Sequence, residues 1–236
     1  MKKIKIGTIG NIFVGKTALC RNYLGEEFST EQLSTVGLEK FMNEVEVTIK
    51  ENKIKTQVYI YDTSGQERYE TTVFNFIKNC DGVLLVYAIN FKESFNDISK
   101  WVNKIRQLHS DEHFPVVLIG NKIDLDNERV INKEDGEKVA KNYKFPFYET
   151  SAKTGENVKE AFQHLIDLIA EYKEDELLNN INKKCINLNI KQEEKEKQQI
   201  EYIIEKNCCG CKKKIPIYKD NNISYDSDLD IKKTLI

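Results

Sequence analysis

The sequence lacks a strong excess of charge of either sign. Its 236 residues carry 36 Lys and Arg against 38 Asp and Glu, giving a formal net charge of −2. Because nucleic-acid-binding domains usually concentrate basic residues, we expect no nucleic-acid partner. With 31% charged and 40% hydrophobic residues, the composition is that of an ordinary soluble protein. A chain of this length has room for one well-buried domain with an appendage, or for two small domains.

Long apolar segments are also missing. The N-terminal segment MKKIKIGTIG has no extended apolar core, so we expect no signal peptide. The apolar stretch at residues 83–88 suits a buried strand and is far shorter than the ~20 residues of a membrane-spanning helix. Six cysteines are too few for a disulfide scaffold here. We expect Cys20 and Cys80 to be buried thiols of a reducing, cytoplasmic compartment.

Short segments rich in Ile and Val alternate with helical patterns of apolar residues. This alternation predicts an α/β fold, a six-stranded, mostly parallel sheet with helices on both faces. Residues 43–49 and 54–60 are separated by a short polar turn and should form an antiparallel hairpin at a sheet edge. The other predicted strands are residues 4–9, 83–89, 116–119 and 145–148, and the helical patterns lie around residues 16–24, 95–105, 139–143 and 158–169.

Composition changes after about residue 172. From there the chain is rich in Asn and in charges of both signs and poor in aromatics, which is typical of a solvated chain without a packed core. We predict a folded domain at residues 1–172 and a variable, largely disordered tail at 173–236.

Residues 10–17 read GNIFVGKT and lie between a predicted strand and a predicted helix. In this context the spacing Gly-x-x-x-x-Gly-Lys-Thr predicts a phosphate-binding loop. Its backbone N–H groups would form an anion-binding concavity at a helix N-terminus. Lys16 would add a positive charge near the β- and γ-phosphates, and Thr17 would offer its hydroxyl to Mg²⁺. The residues predicted to contact the nucleotide are Asn11, Phe13, Val14, Gly15, Lys16, Thr17 and Ala18.

Two short motifs at predicted strand ends indicate which base is bound. In NKID, at 121–124, Asp124 can accept hydrogen bonds from the ring N–H and the exocyclic amine of guanine, a donor pair that adenine lacks. Asn121 can reach the opposite base edge, and the aliphatic stem of Lys122 can pack over the ring. In TSAK, at 150–153, backbone N–H groups can bind the guanine oxygen, with Ser151, Ala152 and Lys153 as the predicted residues. These motifs disfavour a P-loop kinase or ATPase.

A third group of residues predicts Mg²⁺ binding and hydrolysis. Asp62, in DTSGQ at 62–66, should contact Mg²⁺ through a water. Thr35 should be the second hydroxyl ligand of Mg²⁺, after Thr17. The N–H of Gly65 can bond the γ-phosphate, and Gln66 is placed to orient an attacking water as the catalytic residue. Phe28 could stack edgewise on the base.

Together these motifs resemble those of the Ras superfamily of small GTPases over residues 4 to about 172, and the Rab subfamily fits best. The segments STVGLE at 34–39, GQERY at 65–69 and GVLLVY at 82–87 are similar to Rab signatures, as are ESF at 93–95 and Trp101. Two features differ: Tyr61 stands where Rab proteins usually carry Trp, and YAIN at 87–90 is closer to the Ras and Rap branch.

The resemblance implies a monomeric switch that binds GTP or GDP with Mg²⁺, hydrolyses GTP and recruits effectors in vesicle trafficking. Residues 29–41 and 64–78 would be the switch regions, contacted by effectors, an exchange factor and a GTPase-activating protein. Phe41, Tyr61 and Phe76 are predicted to form an exposed aromatic cluster like the one Rab effectors recognise.

Two bulky residues in the phosphate loop raise an alternative. The family places small residues where Ile12 and Phe13 stand, and an activator's arginine normally approaches the γ-phosphate near Ile12. Bulk there should slow hydrolysis without preventing binding. Phe13 would also be strained if its backbone had φ > 0. The chain is then either a cycling GTPase or a GTP-locked binding module.

Three cysteines near the C-terminus, Cys208, Cys209 and Cys211, precede three lysines. Their spacing and the lack of a nearby His disfavour zinc. Paired cysteines beside basic residues resemble the lipidated ends of Rab proteins, and two lipid signals would give stable attachment. However, twenty-five residues follow Cys211 without a C-a-a-X box, which leaves S-acylation, trimming of the end or a free tail open. We expect peripheral attachment to the cytosolic face of an internal membrane.

Overall fold

The computed structural model describes residues 3–29, 38–49, 52–63, 70–109 and 111–175, together with the backbone of 216–219 and 222–225. In the first of two compact units, residues 1–176, six strands form one sheet in the order β2-β3-β1-β4-β5-β6. Neighbours pair in parallel except β2 and β3, which form the antiparallel hairpin expected at the edge. The strands are β1 (Lys3–Ile9), β2 (Leu38–Ile49), β3 (Asn52–Thr63), β4 (Gly82–Ala88), β5 (Val116–Asn121) and β6 (Phe147–Thr150).

Helices connect these strands as the sequence pattern predicts, with two additions, since neither α2 nor the 3₁₀ helix was predicted. The helices are α1 (Lys16–Tyr23), α2 (Glu70–Ile77), α3 (Lys92–Asn96), α4 (Ile98–Leu108) and α5 (Lys133–Tyr143), a 3₁₀ helix at Ile123–Glu128, and α6, which covers residues 158–175. The mostly parallel α/β fold with helices on both faces is confirmed.

Two apolar clusters cover the two faces of the sheet. One packs α1 and α6 against the strands, with Leu19, Phe162 and Ile166 fully buried. The other packs α2, α4 and α5 against the opposite face around Tyr87 and Val102. Strands β4 and β5 are buried along their whole length, as expected for central parallel strands with helices on each side. Helices therefore cover both faces of the sheet, so we look for a binding site at the sheet's edge or at the strand ends.

The β2–β3 hairpin corrects one prediction about its surface. Phe41 pairs with Ile60, and Lys40 pairs with Tyr61; because directly paired residues share a face, Phe41 and Tyr61 lie on opposite faces. Phe41 packs against the core cluster of α1 and α6. Tyr61 instead approaches Phe76 of α2, with ring centroids 5.9 Å apart. The predicted three-membered aromatic cluster is therefore wrong for Phe41.

The second compact unit, residues 177–236, contains a two-stranded antiparallel hairpin, β7 (Pro216–Lys219) with β8 (Asn222–Tyr225). This hairpin was not predicted. Cys208, Cys209 and Cys211 lie outside the described residues. The prediction for the tail as a whole therefore stays a prediction.

Candidate functional site

The predicted binding motifs meet at one edge of the sheet, where the parallel strands end. The loop 10–17 follows β1, Asp62 lies near the end of β3, Asn121 is the last residue of β5, and residues 151–153 follow β6. Ligands of open parallel sheets bind outside the carboxyl ends of the strands. The topology therefore places four motifs that are distant in sequence around a common site.

The phosphate loop carries three residues with positive φ. They are Gly10 at 138°, Phe13 at 64° and Gly15 at 93°. The left-handed conformation is ordinary for glycine and unfavourable for a bulky side chain, so Phe13 is strained as the sequence suggested. Its side chain points outward and is 69% exposed. The Phe13 ring thus lies on the outer surface of the loop and leaves the backbone N–H groups clear for a ligand.

Two glycines let the loop approach its neighbours closely. A Cβ on Gly10 would collide with the backbone carbonyl of Val86 in β4. A Cβ on Gly15 would lie 2.5 Å from Nδ2 of Asn121 and 3.9 Å from Cε of Lys122. The second contact shows that the phosphate loop and the NKID segment touch directly.

Lys16 is buried and faces the loop that it follows. Its ammonium donates to the carbonyl oxygens of Gly10, at 3.0 Å, and Asn11, at 2.8 Å. Burial lowers the pKa of Lys16 to about 8, against the opposing effect of the Asp62 charge. Phosphate oxygens would supply the negative charge that this buried ammonium lacks, so the group is suited to anion binding.

Thr17 and Asp62 form the predicted Mg²⁺ end of the site. The Thr17 hydroxyl donates to Oδ2 of Asp62 at 2.6 Å, and the Thr8 hydroxyl donates to Oδ1 at 3.0 Å. Asp62 is fully buried. A hydroxyl beside an oriented carboxylate is a donor set that fits Mg²⁺ completed by water and phosphate oxygens. Elsewhere in the part of the chain that the structure describes, no group of three or more His, Cys, Asp or Glu could hold a metal ion.

Asn121 joins three segments of the site. Its Nδ2 donates to the carbonyl of Val14 at 2.8 Å, and its Oδ1 accepts from Ala152 N and Thr150 Oγ1, each at 3.2 Å. The side chain is 1% exposed. Asn121 therefore holds the phosphate loop and the TSAK loop together, a role that the sequence reasoning missed, and its predicted contact with the base stays a prediction.

Asp124 is oriented by the TSAK loop. Ser151 donates to Oδ1 of Asp124 at 2.6 Å, while its hydroxyl oxygen accepts from Lys153 N at 3.2 Å and Thr154 N at 3.1 Å. Asp124 itself is exposed, so its carboxylate is accessible to a ligand. The N–H groups of Ala152 and Lys153, predicted for the guanine oxygen, make long bonds here that a ligand oxygen would have to share or displace.

Lys122 and Phe28 are the predicted contacts to the base ring. Lys122 has φ 73°, and its half-buried stem passes beside Gly15. Desolvation lowers the pKa of its ammonium. Phe28 is 41% exposed, so its ring is not used by the core. Thr35, Gly65 and Gln66 lie outside the described residues, and their predicted roles stay predictions.

A partly buried ion pair that sequence reasoning missed connects the 3₁₀ helix to β6. Arg129 makes two bonds to Glu149 of β6, at 2.6 and 3.3 Å, and one to Asp126 of the 3₁₀ helix at 2.7 Å. The bidentate bond to Glu149 raises the pKa of Arg129. Arg129 thus ties the helix that carries Asp124 to the strand before Ser151. No local sequence signal could have paired residues twenty positions apart.

Comparison with known proteins settles the family. The Ras family model matches residues 5–171. The chain belongs to the Ras family. The protein Rab-15 of Rattus norvegicus and of Homo sapiens is 38% identical over 169 residues, 72% of this chain and 77% of theirs. Rab-3A of Homo sapiens is 38% identical over 167 residues, 71% of this chain and 74% of its own.

These relatives confirm the resemblance to the Rab subfamily within the Ras superfamily. The chain is a Rab-like small GTPase that binds GTP or GDP with Mg²⁺, and neither the GTP-locked alternative nor the Ras and Rap branch is favoured. Cys20 and Cys80 are free and buried as expected, and burial raises the pKa of Cys80 to about 12. In the described segments, no helix has the length and apolar character needed to cross a bilayer.

Proposed function

We propose that this Rab-like GTPase selects guanine through Asp124 and holds the phosphates through the loop at 10–17, as a switch in vesicle trafficking. The observation that carries this proposal is the 2.6 Å hydrogen bond from Ser151 to Asp124, which orients the carboxylate. Ser151 lies in the TSAK loop, and Asn121 joins that loop to the phosphate loop. An isolated phosphate loop would need neither contact. A site that reads base and phosphates together needs both.

Different residues of the site are proposed to bind the phosphates, to hold Mg²⁺ and to orient the attacking water. Lys16 supplies positive charge to the β- and γ-phosphates, and Thr17 and Asp62 would hold Mg²⁺, which neutralises phosphate charge when bound. Gln66 is proposed to orient the attacking water, with Thr35 and Gly65 holding the two switch regions to the γ-phosphate. Loss of that phosphate releases both contacts, which is the switching event.

Effectors are proposed to bind the outer face of the β2–β3 hairpin. This face carries the Tyr61–Phe76 pair and Met42, whose side chain is 55% exposed. Lys40 lies on the same face, with its ammonium 4.4 Å from the centroid of the Tyr59 ring. Exposed aromatic and apolar groups beside a cation favour a partner with an apolar anchor and a neighbouring acidic group.

The proposed function is tested on the purified full-length chain by single-turnover assays with GTP and with ATP, in Mg²⁺ and in EDTA. We expect conversion of GTP to GDP that depends on Mg²⁺, with no conversion of ATP. The matched variant Gln66→Leu should bind GTP normally and lose most of the hydrolysis. Equal turnover of ATP and GTP would refute the assignment of the site.

Slow hydrolysis is proposed as a property of this particular loop. Phe13 keeps its ring on the loop's outer surface, and Ile12 is half-exposed beside it, where an activator's arginine would enter. Losing the contribution of that arginine corresponds to about three to five decades in rate, or roughly 4–7 kcal/mol. The protein would then remain a GTPase whose activator-stimulated rate is reduced.

Membrane attachment is proposed through one or more of Cys208, Cys209 and Cys211, followed by three lysines. A lipid on cysteine with a basic cluster supplies the two signals that stable attachment needs. Fractionation of cells expressing wild type or the triple Cys→Ser variant tests this. We expect the wild type with membranes and the variant in the soluble fraction, whereas identical distributions would remove the anchor.

A further inference from the structure

Asn11, in the phosphate loop, is held by two residues about ninety positions away, Trp101 of α4 and Asp97 at the junction of α3 and α4. Its Oδ1 accepts a hydrogen bond from the indole nitrogen of Trp101 at 2.8 Å, and its Nδ2 donates to Oδ2 of Asp97 at 2.6 Å. An indole N–H only donates and a carboxylate only accepts, so these partners fix the orientation of the amide. An asparagine satisfies both partners at once, because it carries an acceptor and a donor on one planar group.

The Asp97 carboxylate bonds to the phosphate loop and not to its own helices. Asp97 lies between α3, which ends at Asn96, and α4, which begins at Ile98. Its backbone is helical (φ −79°, ψ −3°), which is not the geometry of a capping residue, and its side chain makes no capping bond to α4. Its carboxylate crosses to the phosphate loop instead. This charge-assisted bond therefore connects the junction of α3 and α4 to the phosphate loop.

Trp101 connects the same amide to α2. Its side chain is 9% exposed, and its ring centroid is 6.5 Å from that of Phe74, with an interplanar angle of 45°. Phe74 is half-buried on α2, and its neighbour Val73 is buried in the cluster that contains Trp101. Helix α2 begins directly after residues 64–69, which include the proposed γ-phosphate contacts. Displacement of α2 would therefore disturb the indole that holds Asn11.

We propose that Asn11 is a positioning residue that couples the phosphate loop to α2 through the indole of Trp101. This inference rests on the proposed nucleotide site. Trp101 contacts both Phe74 of α2 and Asn11 of the phosphate loop, so the position of α2 affects how well the loop is held in its binding conformation. Because coupling between two sites is reciprocal, bound nucleotide stabilises the matching position of α2 by the same free energy. An exchange factor that moves α2 would loosen the phosphate loop by this route.

The chain offers a direct probe, because Trp101 is its only tryptophan. Emission excited at the red edge of the indole band, where the eleven tyrosines scarcely absorb, therefore reports on this indole alone. Exchange of GDP for a non-hydrolysable GTP analogue in the Mg²⁺-bound full-length protein should change the emission. In Asn11→Ala the indole loses its acceptor, so we expect the change to shrink strongly. Asn96→Ala, which removes an exposed amide from the end of α3, is the matched control and should retain the wild-type change.

Release of fluorescently labelled GDP supplies the second readout. Asn11→Ala loses the bonds to Trp101 and Asp97, and loss of even one of them predicts GDP release at least about three- to tenfold faster. Trp101→Phe keeps a ring against Phe74 and removes only the donor, so it should show a similar increase and guards against misfolding of the first variant. Because Trp101→Phe breaks a bond that Asn11→Ala already breaks, the double variant should release GDP no faster than Asn11→Ala alone.

The outcomes separate the coupling from the site itself. If the wild-type protein binds no guanine nucleotide, the proposed function fails. If it binds both nucleotides with unchanged emission, or if Asn11→Ala behaves like Asn96→Ala, the coupling is refuted. Additive effects in the double variant would also overturn it, because Asn11 and Trp101 would then act independently.

Discussion

Replacing Asn121 with alanine removes three hydrogen bonds that connect the phosphate loop to the TSAK loop. The bonds reach Val14 at 2.8 Å and Ala152 and Thr150 at 3.2 Å each, from a side chain that is 1% exposed. At about 1 kcal/mol for each bond, the free energy of unfolding should fall by about 3 kcal/mol. The corresponding decrease in Tm is roughly 6–12 °C for a chain of this size.

Nucleotide binding should suffer together with stability. Without Asn121, the carbonyl of Val14 and the N–H of Ala152 lose their partner and the two loops separate more easily. We expect GDP to dissociate roughly 10- to 100-fold faster, since part of the lost free energy is expressed only in the bound state. Denaturant unfolding in excess GDP measures the first effect, and stopped-flow release of labelled GDP measures the second.

The control for this prediction is Asn127→Ala, which removes an amide from an exposed position in the 3₁₀ helix. It should change stability by less than ~0.5 kcal/mol, as surface substitutions usually do. If Asn121→Ala matches this control in both assays, Asn121 does not hold the phosphate loop and the TSAK loop together in the folded protein.

Three further predictions follow from single groups in the structure. The buried hydroxyl of Tyr87 finds no hydrogen-bond partner among the described residues, so Tyr87→Phe should raise the free energy of unfolding by about 1 kcal/mol; a loss of similar size in denaturant titrations would contradict this. The Lys16 pKa of about 8 means that phosphate binding, which favours the charged form, should take up a proton near pH 8 and weaken as pH rises further; calorimetry in two buffers of different ionisation heat would show no uptake if the reasoning is wrong. The double change Ile12→Ser with Phe13→Gly should raise activator-stimulated single-turnover hydrolysis by up to about three to five decades, and equal rates for wild type and the double variant, both with and without activator, would refute steric obstruction.

The fold was predictable because hydrophobic periodicity reports burial. Central strands such as β4 read as continuous apolar runs since both of their faces are covered. The face of each hairpin residue was harder to assign, and Phe41 was placed wrongly. A signal was present: Phe41, Val45 and Val47 share odd positions and therefore one face. Strand pairing then puts Tyr61 on the other face.

The site was predictable at the level of motifs and not at the level of contacts. Lys16, Thr17 and Asp124 could be identified because each motif is contiguous and its chemistry is local. The bond from Asn121 to Val14 spans 107 positions, and the bond from Trp101 to Asn11 spans 90. Such contacts depend on strand order and helix placement, which periodicity alone does not determine.

Selection of guanine by one carboxylate is most directly tested by calorimetric titration of GTP, ATP and xanthosine triphosphate into wild type and Asp124→Asn. Xanthine carries a carbonyl where guanine carries its exocyclic amine, so an amide at position 124 can donate where the carboxylate accepted. Wild type should bind GTP strongly and ATP undetectably, and the variant should lose GTP affinity by at least ~100-fold while gaining affinity for xanthosine triphosphate. Comparable binding of ATP and GTP by wild type, or an unchanged preference for GTP in the variant, would contradict this account of the site.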